Sequence, residues 1–255
     1  MEDIIIIVEK FVNDLFSIKD NNIRTYTFAN RLKEFEADAI VEMFYIICKR
    51  VNQKLPKYQE VFSSLIDIPR ITEIVGLPKM SDIYISSRKK GYNDITRLFA
   101  KPKPIKESSD NSNPPENIGI EYITLGEKRF LAKSQNKNIL DRLLFDSDPI
   151  VIKNILINPR TIERDVLKVA SRRPISQNIL KVIFNDKKWI SRYSIKKALI
   201  KNPYTPPEVS LALLNFMFIQ DLKDISEDKL LHTEVRESAK ELIERAISSY
   251  PQSLS

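Results

Sequence analysis

The stretch Asn158-Pro159-Arg160-Thr161 is repeated later in the chain as Asn202-Pro203-Tyr204-Thr205, and Arg173-Pro174-Ile175-Ser176 between them has the same outline. A proline cannot continue a helix, and it disfavours helical backbone in the residue before it. The hydroxyl two residues after each proline is expected to cap the next helix by accepting backbone N–H hydrogen bonds. Each stretch therefore predicts a helix end followed by a helix start, with Thr205 and Glu208 forming a capping box.

The spacing of these stretches fits a stack of helical repeats. Asn158 and Asn202 are 44 residues apart, which lies within the roughly 33–47-residue period of two- and three-helix repeats. Residues 152–157 (IKNILI) also match residues 195–200 (IKKALI), with one residue of slippage. Each such unit has one apolar stripe, which only a neighbouring unit can cover. The sequence therefore predicts an all-α fold with a solenoid in its second half.

The chain divides into three predicted segments. Residues 1–100 are predicted to form an N-terminal helical domain, because apolar residues recur at helical spacing, as in 4–15 and 36–51. Residues 101–117 contain four Pro, three Ser and three Asn, a composition typical of an extended linker. Residues 118–255 are predicted to form the helical repeat domain.

Within the repeat domain the pattern locates individual helices. Residues 120–123 fit either a strand or the first turn of the stack. The helices that follow are predicted over 139–145, 149–157, 161–171, 176–184, 190–201, 205–216 and 233–248, with a shorter turn over 224–231.

Composition argues against several classes of function. The 255 residues include 4 Gly, 1 Cys and 1 His, and no glycine-rich phosphate-binding motif is present. Cys48 alone cannot form an intrachain disulfide or a Cys-only metal or iron–sulfur site, and His232 lacks the context of a catalytic triad. Residues 4–8 are too short for a secretory signal, and apolar runs of five or six residues are far below a membrane span. We expect a cytoplasmic protein with no catalytic residue, metal or cofactor.

A further set of positions gives the repeat domain a likeness to a known family. These positions are Leu143-Leu144-Phe145-Asp146, Asp148-Pro149, Ile152, Asn158-Pro159-Arg160, Asp165-Val166, Arg172-Arg173-Pro174, Trp189, Arg192, Ala198-Leu199, Asn202-Pro203-Tyr204-Thr205-Pro206 and Asp221-Leu222. On these positions, residues 139–245 resemble a bacterial family of HEAT-like, leucine-rich-repeat-variant proteins. The resemblance implies a HEAT-like α-solenoid and no particular activity. Some leucine-rich-repeat-variant proteins bind an iron–sulfur cluster through N-terminal cysteines, which this chain lacks.

Positive charge is concentrated on the repeats. Residues 131–205 contain 16 of the 41 Lys and Arg but only 6 of the 34 Asp and Glu. Arg164, Lys168 and Arg172 follow at intervals of four residues, which would align them on one helix face. Stacked helices would extend such faces into a basic stripe. The predicted partner-binding residues are Arg160, Arg164, Lys168, Arg172, Arg173, Trp189, Arg192 and Lys196.

Several interpretations of the stripe are open at this point. A solvated outer face is one, since Lys and Arg are good helix formers, but like charges four residues apart repel and so favour a binding surface. An acidic protein or peptide is the preferred partner, because few aromatic residues are available to stack on nucleic-acid bases. Nucleic acid bound through its phosphates is the alternative, and a HEAT-like DNA glycosylase is a third. Trp189 and Tyr193 would share a helix face, and such a pair is also typical of a core.

Overall fold

The computed structural model describes residues 2–99, 105–107 and 123–248. Its regular structure is entirely α-helical within these ranges, which confirms the all-α part of the predicted fold class. Of the predicted linker, residues 105–107 are described and are not helical, and the rest lies outside the described residues. Residues 120–122, whose conformation the sequence left open, also lie outside them. The described residues divide into two compact units.

The first unit contains the described residues up to 101, together with 214–216 and those from 240 onward. Its helices are α1 (Glu2–Ser17), α2 (Asn21–Leu32), α3 (Ala37–Asn52), α4 (Pro56–Leu65), α5 (Ile68–Val75), α6 (Leu77–Lys89) and α7 (Asn93–Phe99). Helix α3 packs against α1, α4, α6 and α7. Phe28 joins two other rings in the core, with centroids 5.4 Å from Phe11 and 5.9 Å from Phe44.

A buried arginine closes the end of α1. Arg24 is 2% exposed, and its Nε donates to the carbonyl oxygens of Leu15 and Ile18, at 3.0 and 2.9 Å. These carbonyls belong to the end of the helix, where no further turn can satisfy them. A terminal guanidinium nitrogen of Arg24 also lies 2.6 Å from Glu60 Oε1. The charge of Arg24 is therefore compensated inside the first unit.

The second unit contains the described residues from 105 to 213 and from 217 to 239. Its helices are α8 (Leu125–Leu131), α9 (Lys137–Leu143), α10 (Pro149–Ile157), α11 (Glu163–Ser171), α12 (Gln177–Asn185), α13 (Lys187–Ile190), α14 (Tyr193–Lys201), α15 (Pro207–Leu214, without its last residue), α16 (Ile219–Glu227) and the first half of α17 (Thr233–Ser248). Helix α10 packs against α8, α9 and α12, and α14 packs against α11 and α16. Helices α10 and α14 are thus each packed against more than one other helix of this unit.

The two Asn-Pro-x-Thr motifs make the same hydrogen bonds. Asn158 Nδ2 donates to the carbonyl oxygens of Ala132 and Ser134, at 3.0 and 2.8 Å, and Asn202 Nδ2 donates to those of Ala170 and Arg172, at 2.8 and 3.0 Å. In each case the Asn Oδ1 accepts the backbone N–H two residues later. The expectation that each Asn would bond a neighbouring turn is confirmed, and the two motifs share one hydrogen-bond pattern.

The predicted threonine caps are wrong. The hydroxyls of Thr161 and Thr205 do not accept from the following helix but donate backwards, to Ile155 O at 2.5 Å and Leu199 O at 2.6 Å. A hydroxyl can donate as well as accept, and these two are buried against the carbonyl end of the preceding helix. The cap predicted at Ser176 is confirmed, because its Oγ accepts from Asn178 N at 3.2 Å.

The second half of α17 is held in the first unit by two ion pairs with α7. Arg97 binds both carboxylate oxygens of Glu241, at 2.8 and 3.0 Å, and Arg245 binds those of Asp94, at 2.7 and 3.4 Å. Each of the two helices contributes one Arg and one acidic residue to these pairs. Hydrogen bonds in which both partners are charged are stronger than neutral ones, so these pairs fix the register of α17 on α7.

Candidate functional site

The eight predicted partner-binding residues fall into three classes of exposure. Arg160, Arg164, Lys168, Arg173 and Arg192 are exposed, Arg172 and Lys196 are partly buried, and Trp189 is buried. The structure therefore separates residues that can meet a partner from residues whose side chains are used inside the second unit.

Helix α11 presents two cations to solvent. Arg164 and Lys168 lie one turn apart on its exposed side, while Val166, Val169 and Ala170 are buried on the other. Neither cation makes a hydrogen bond or ion pair with any residue in the described part of the chain. Both charges are therefore available to a partner.

Two further cations lie near the N-terminal end of α11. Arg160 Nε donates to Gln135 Oε1 at 3.2 Å, and Arg192 Nε lies 3.9 Å from Glu163 Oε2. The Glu163 carboxylate also accepts a hydrogen bond from the hydroxyl of Ser194, which ties α11 to α14. We call Arg160, Arg164, Lys168 and Arg192 the basic surface.

Arg172 does not extend the face formed by Arg164 and Lys168, contrary to the prediction from their spacing. Helix α11 ends at Ser171, and Arg172 has extended backbone with φ −62° and ψ 142°. Its guanidinium donates to Leu144 O at 3.3 Å and to Asp146 O at 3.2 Å. Burial lowers the pKa of Arg172, although nearby Asp146 opposes that shift. The side chain thus fastens α11 to the end of α9.

Arg173 and Lys196 also bind backbone carbonyls. Arg173 donates to Lys201 O, at the carbonyl end of α14, where a cation is favoured by the helix dipole. Lys196 Nζ donates to Ser191 O at 3.3 Å, and burial lowers the pKa of Lys196. Both side chains therefore bind backbone carbonyls of the second unit, although Arg173 is exposed.

The aromatic residues in this region are engaged in the fold. Trp189 is 3% exposed, and its Nε1 donates to Leu156 O at 2.8 Å. The Tyr193 hydroxyl donates to Asp221 and accepts from Phe218 N. Burial, followed by that bond to Asp221, raises the pKa of Tyr193 to about 12. The Trp189 ring is not available for stacking on a base or a peptide side chain.

Eight carboxylates of the second unit are paired with a cation. Besides Arg192–Glu163, the pairs are Lys128–Asp146, Arg129–Asp148, Lys137–Asp141, Lys137–Asp165, Lys181–Glu208, Lys197–Asp221 and Lys201–Asp224. Exposed Lys133 and Lys153 have no such partner among the described residues, and the sequence interpretation did not select them. The sequence shows that both lysines lie in a charge-rich segment. It does not show which neighbouring cations are paired with carboxylates, and this pairing is what distinguishes the two lysines.

Sequence interpretation also missed large apolar side chains beside the basic surface. Phe130 is 75% exposed, Ile157 64% and Ile162 54%. Ile157 belongs to the apolar stretch 152–157, which predicted a stripe covered by a neighbouring unit, and Ile162 belongs to the predicted helix 161–171. Exposure of individual apolar residues has no signal in a single sequence, because it depends on where neighbouring helices end.

The single histidine has a local structural contact. His232 Nδ1 accepts from Glu234 N at 3.2 Å, in the first turn of α17. The small pocket beside it is lined in part by the apolar residues Ile200, Leu231 and Val235. Across residues 2–99, 105–107 and 123–248, no three His, Cys, Asp or Glu side chains are grouped to hold a metal ion. None of the helices described is long and apolar enough to cross a membrane.

Comparisons of the chain with protein-family models, curated proteins and solved structures found no match. The HEAT-like resemblance therefore stays a prediction.

Proposed function

We propose that this protein is a non-catalytic cytoplasmic scaffold that holds an acidic protein on the basic surface. In this proposal the second unit is a HEAT-like α-solenoid, a repeat architecture whose extended surfaces serve binding. The equivalent hydrogen bonds of Asn158 and Asn202, 44 residues apart, support the repeat. The packing of α10 between α8 and α12 supports the stacking.

The observation that carries the proposal is the unpaired charge on α11. Seven other Lys and Arg of the second unit, Arg192 among them, lie within 4.0 Å of a carboxylate, whereas Arg164 and Lys168 have no such partner among described residues. Two like charges one turn apart repel each other by a few tenths of a kcal/mol. A partner that supplies carboxylates would remove that repulsion and gain ion pairs.

Nucleic acid is the second candidate, because phosphates would satisfy the same cations. The contacts of Trp189 and Tyr193 disfavour it, since both rings are held within the second unit. Proteins that bind single strands without sequence preference combine a basic groove with aromatic side chains on which bases stack. A protein partner needs no such rings.

The test measures the affinity of two labelled polyanions by fluorescence anisotropy at about 150 mM salt. One probe is a 16-residue acidic peptide, (Ser-Glu-Glu-Ser)4, and the other is a 16-base-pair DNA duplex. The Arg164→Glu/Lys168→Glu protein is expected to bind the peptide about tenfold more weakly than the wild type, because reversal turns two attractions into repulsions. Lys223→Glu/Lys229→Glu is the matched control, since both lysines are exposed on the same unit.

Equal weakening by the two double substitutions would contradict the proposal, because net charge alone would then explain binding. Tight DNA binding that falls steeply with salt and requires Arg164 and Lys168 would favour the nucleic-acid function instead. Release of bases from alkylated DNA would identify the glycosylase.

A further inference from the structure

Apolar and basic side chains alternate on the exposed connection between α10 and α11. Ile157 ends α10, Arg160 lies in the turn, Ile162 precedes α11 and Arg164 is in its first turn. All four side chains are exposed, the two isoleucines by more than half. The basic surface is therefore bordered by apolar side chains within the same eight residues of chain.

The contacts of α10 bring a third apolar side chain to this region. Asn154 Nδ2 donates to Arg129 O at 3.0 Å, and Asn158 Nδ2 donates to Ala132 O at 3.0 Å. The C-terminal turn of α10 therefore lies against the C-terminal turn of α8. That turn contains Phe130, the most exposed of the large apolar side chains described.

Apolar and basic side chains also lie together on one exposed face of α10, towards its N-terminus. Ile150, Lys153 and Ile157 lie at positions i, i+3 and i+7, which place them on one face of the helix. All three are exposed. Exposed apolar side chains that occur together mark interaction surfaces more often than isolated ones do.

We infer that the partner segment carries large apolar side chains as well as carboxylates, as an acidic amphipathic helix does. It binds a mixed surface made of Phe130, Lys153, Ile157, Arg160, Ile162 and Arg164. This inference rests on the proposed function, because it specifies the chemistry of the acidic partner. None of the six residues is acidic, so the complementary segment is negative, and its apolar side chains cover the two isoleucines and the phenylalanine. A phosphate backbone would leave those three side chains in water.

The test compares two peptides of equal length and charge. The amphipathic probe is (Leu-Glu-Glu-Leu)4, whose leucines form a helical stripe, and the control probe is (Ser-Glu-Glu-Ser)4. We expect the wild type to bind the leucine peptide at least about tenfold more tightly, because two or three apolar side chains are removed from water on each side. The readout is fluorescence anisotropy at nanomolar peptide.

Substitutions separate the apolar contribution from the charges. Phe130→Ser/Ile157→Ser should weaken binding of the leucine peptide about tenfold and leave the serine peptide unchanged. Ile23→Ser/Leu77→Ser is the matched control, since both residues are exposed large apolar side chains of the first unit. Ile162→Ser is a second, single variant in the mixed surface, and circular dichroism checks that each variant is folded.

The outcomes distinguish this inference from the proposed function. If both peptides bind equally and both require Arg164 and Lys168, the apolar component is wrong and the basic surface stands. If neither peptide requires Arg164 and Lys168, both proposals are wrong. If sedimentation shows a dimer that Phe130→Ser/Ile157→Ser dissociates, a second copy covers the apolar side chains and the inference is overturned.

Discussion

At the scale of single residues, Asn158 and Asn202 explain why the motif recurs. Each buried side-chain amide donates to two carbonyl oxygens near the end of a neighbouring helix and accepts one backbone N–H. Those carbonyls have no partner within their own helix. An Asn side chain combines the two donors and the acceptor that this position needs, which neither Asp nor Ala supplies.

The first prediction concerns the loss of these amides. Asn158→Ala and Asn202→Ala should each lower the free energy of unfolding by about 2–4 kcal/mol, because each leaves one buried and two partly buried backbone groups without that partner. Urea denaturation measures the loss. Asn185→Ala, at an exposed helix end, is the control and should change stability by less than about 0.5 kcal/mol. Equal effects at all three positions would contradict the assigned role.

A second prediction uses the Tyr193 hydroxyl, whose pKa is raised to about 12 in the folded protein from about 10 in an unfolded chain. The folded state therefore favours the protonated phenol, and its stabilising contribution is complete below pH 10 and is lost as pH rises towards 12. The stability difference between wild type and Tyr193→Phe should shrink between pH 10 and pH 12 in urea denaturation. A difference independent of pH would show that Tyr193 titrates normally.

Residue roles were only partly predictable from the sequence. The positions of Thr161 and Thr205 were recognised, but a hydroxyl both donates and accepts, so its direction depends on the packing around it. Trp189 illustrates the same limit, because a tryptophan near basic residues fits either a core or a binding surface. In the fold its Nε1 donates to the carbonyl of Leu156, which lies 33 residues earlier in the chain, so the contact is not visible in the local sequence.

At the scale of helices, local signals located most ends in the second unit within about two residues. Helix α10 spans Pro149–Ile157 as predicted, since Asp148 caps it and Pro149 occupies its first position. The predicted helix 190–201 is interrupted instead, because α13 ends at Ile190 and α14 begins at Tyr193. Helix α16 (Ile219–Glu227) was missed, and only a turn over 224–231 was predicted. Its apolar residues are few, and helices of nine residues depend on packing rather than on propensity.

The third prediction tests the attachment of α17 to α7 by a double-mutant cycle. Asp94 is almost fully buried in its pair with Arg245, and removing one partner leaves a charge in a poorly hydrated site. Substituting Asp94 and Arg245 by Ala, singly and together, should give a coupling energy of about 1–2 kcal/mol. The more exposed Lys181–Glu208 pair, at 3.4 Å, should give less than about 0.5 kcal/mol. Equal coupling in the two cycles would show that burial does not strengthen the Asp94 pair.

At the scale of the whole molecule, the concentration of positive charge in residues 131–205 was visible in the sequence. The identity of the unpaired cations was not, because their neighbours are neutralised from a distance. Lys137 pairs with Asp165 and Lys197 with Asp221, 28 and 24 residues away. Lysines on neighbouring helices thus become structural while Arg164 and Lys168 remain available. The fold therefore determines which of the cations in this segment are paired with carboxylates and which are available at the surface.

The most direct test of the central claim is the affinity of the acidic peptide (Ser-Glu-Glu-Ser)4 for two charge-reversed proteins with the same net charge. Arg164→Glu/Lys168→Glu alters the basic surface, and Lys223→Glu/Lys229→Glu alters exposed lysines elsewhere on the second unit. We expect about a tenfold loss of affinity for the first protein and less than about a twofold loss for the second. Equal losses would mean that the peptide responds to net charge, and the basic surface would no longer be the binding site.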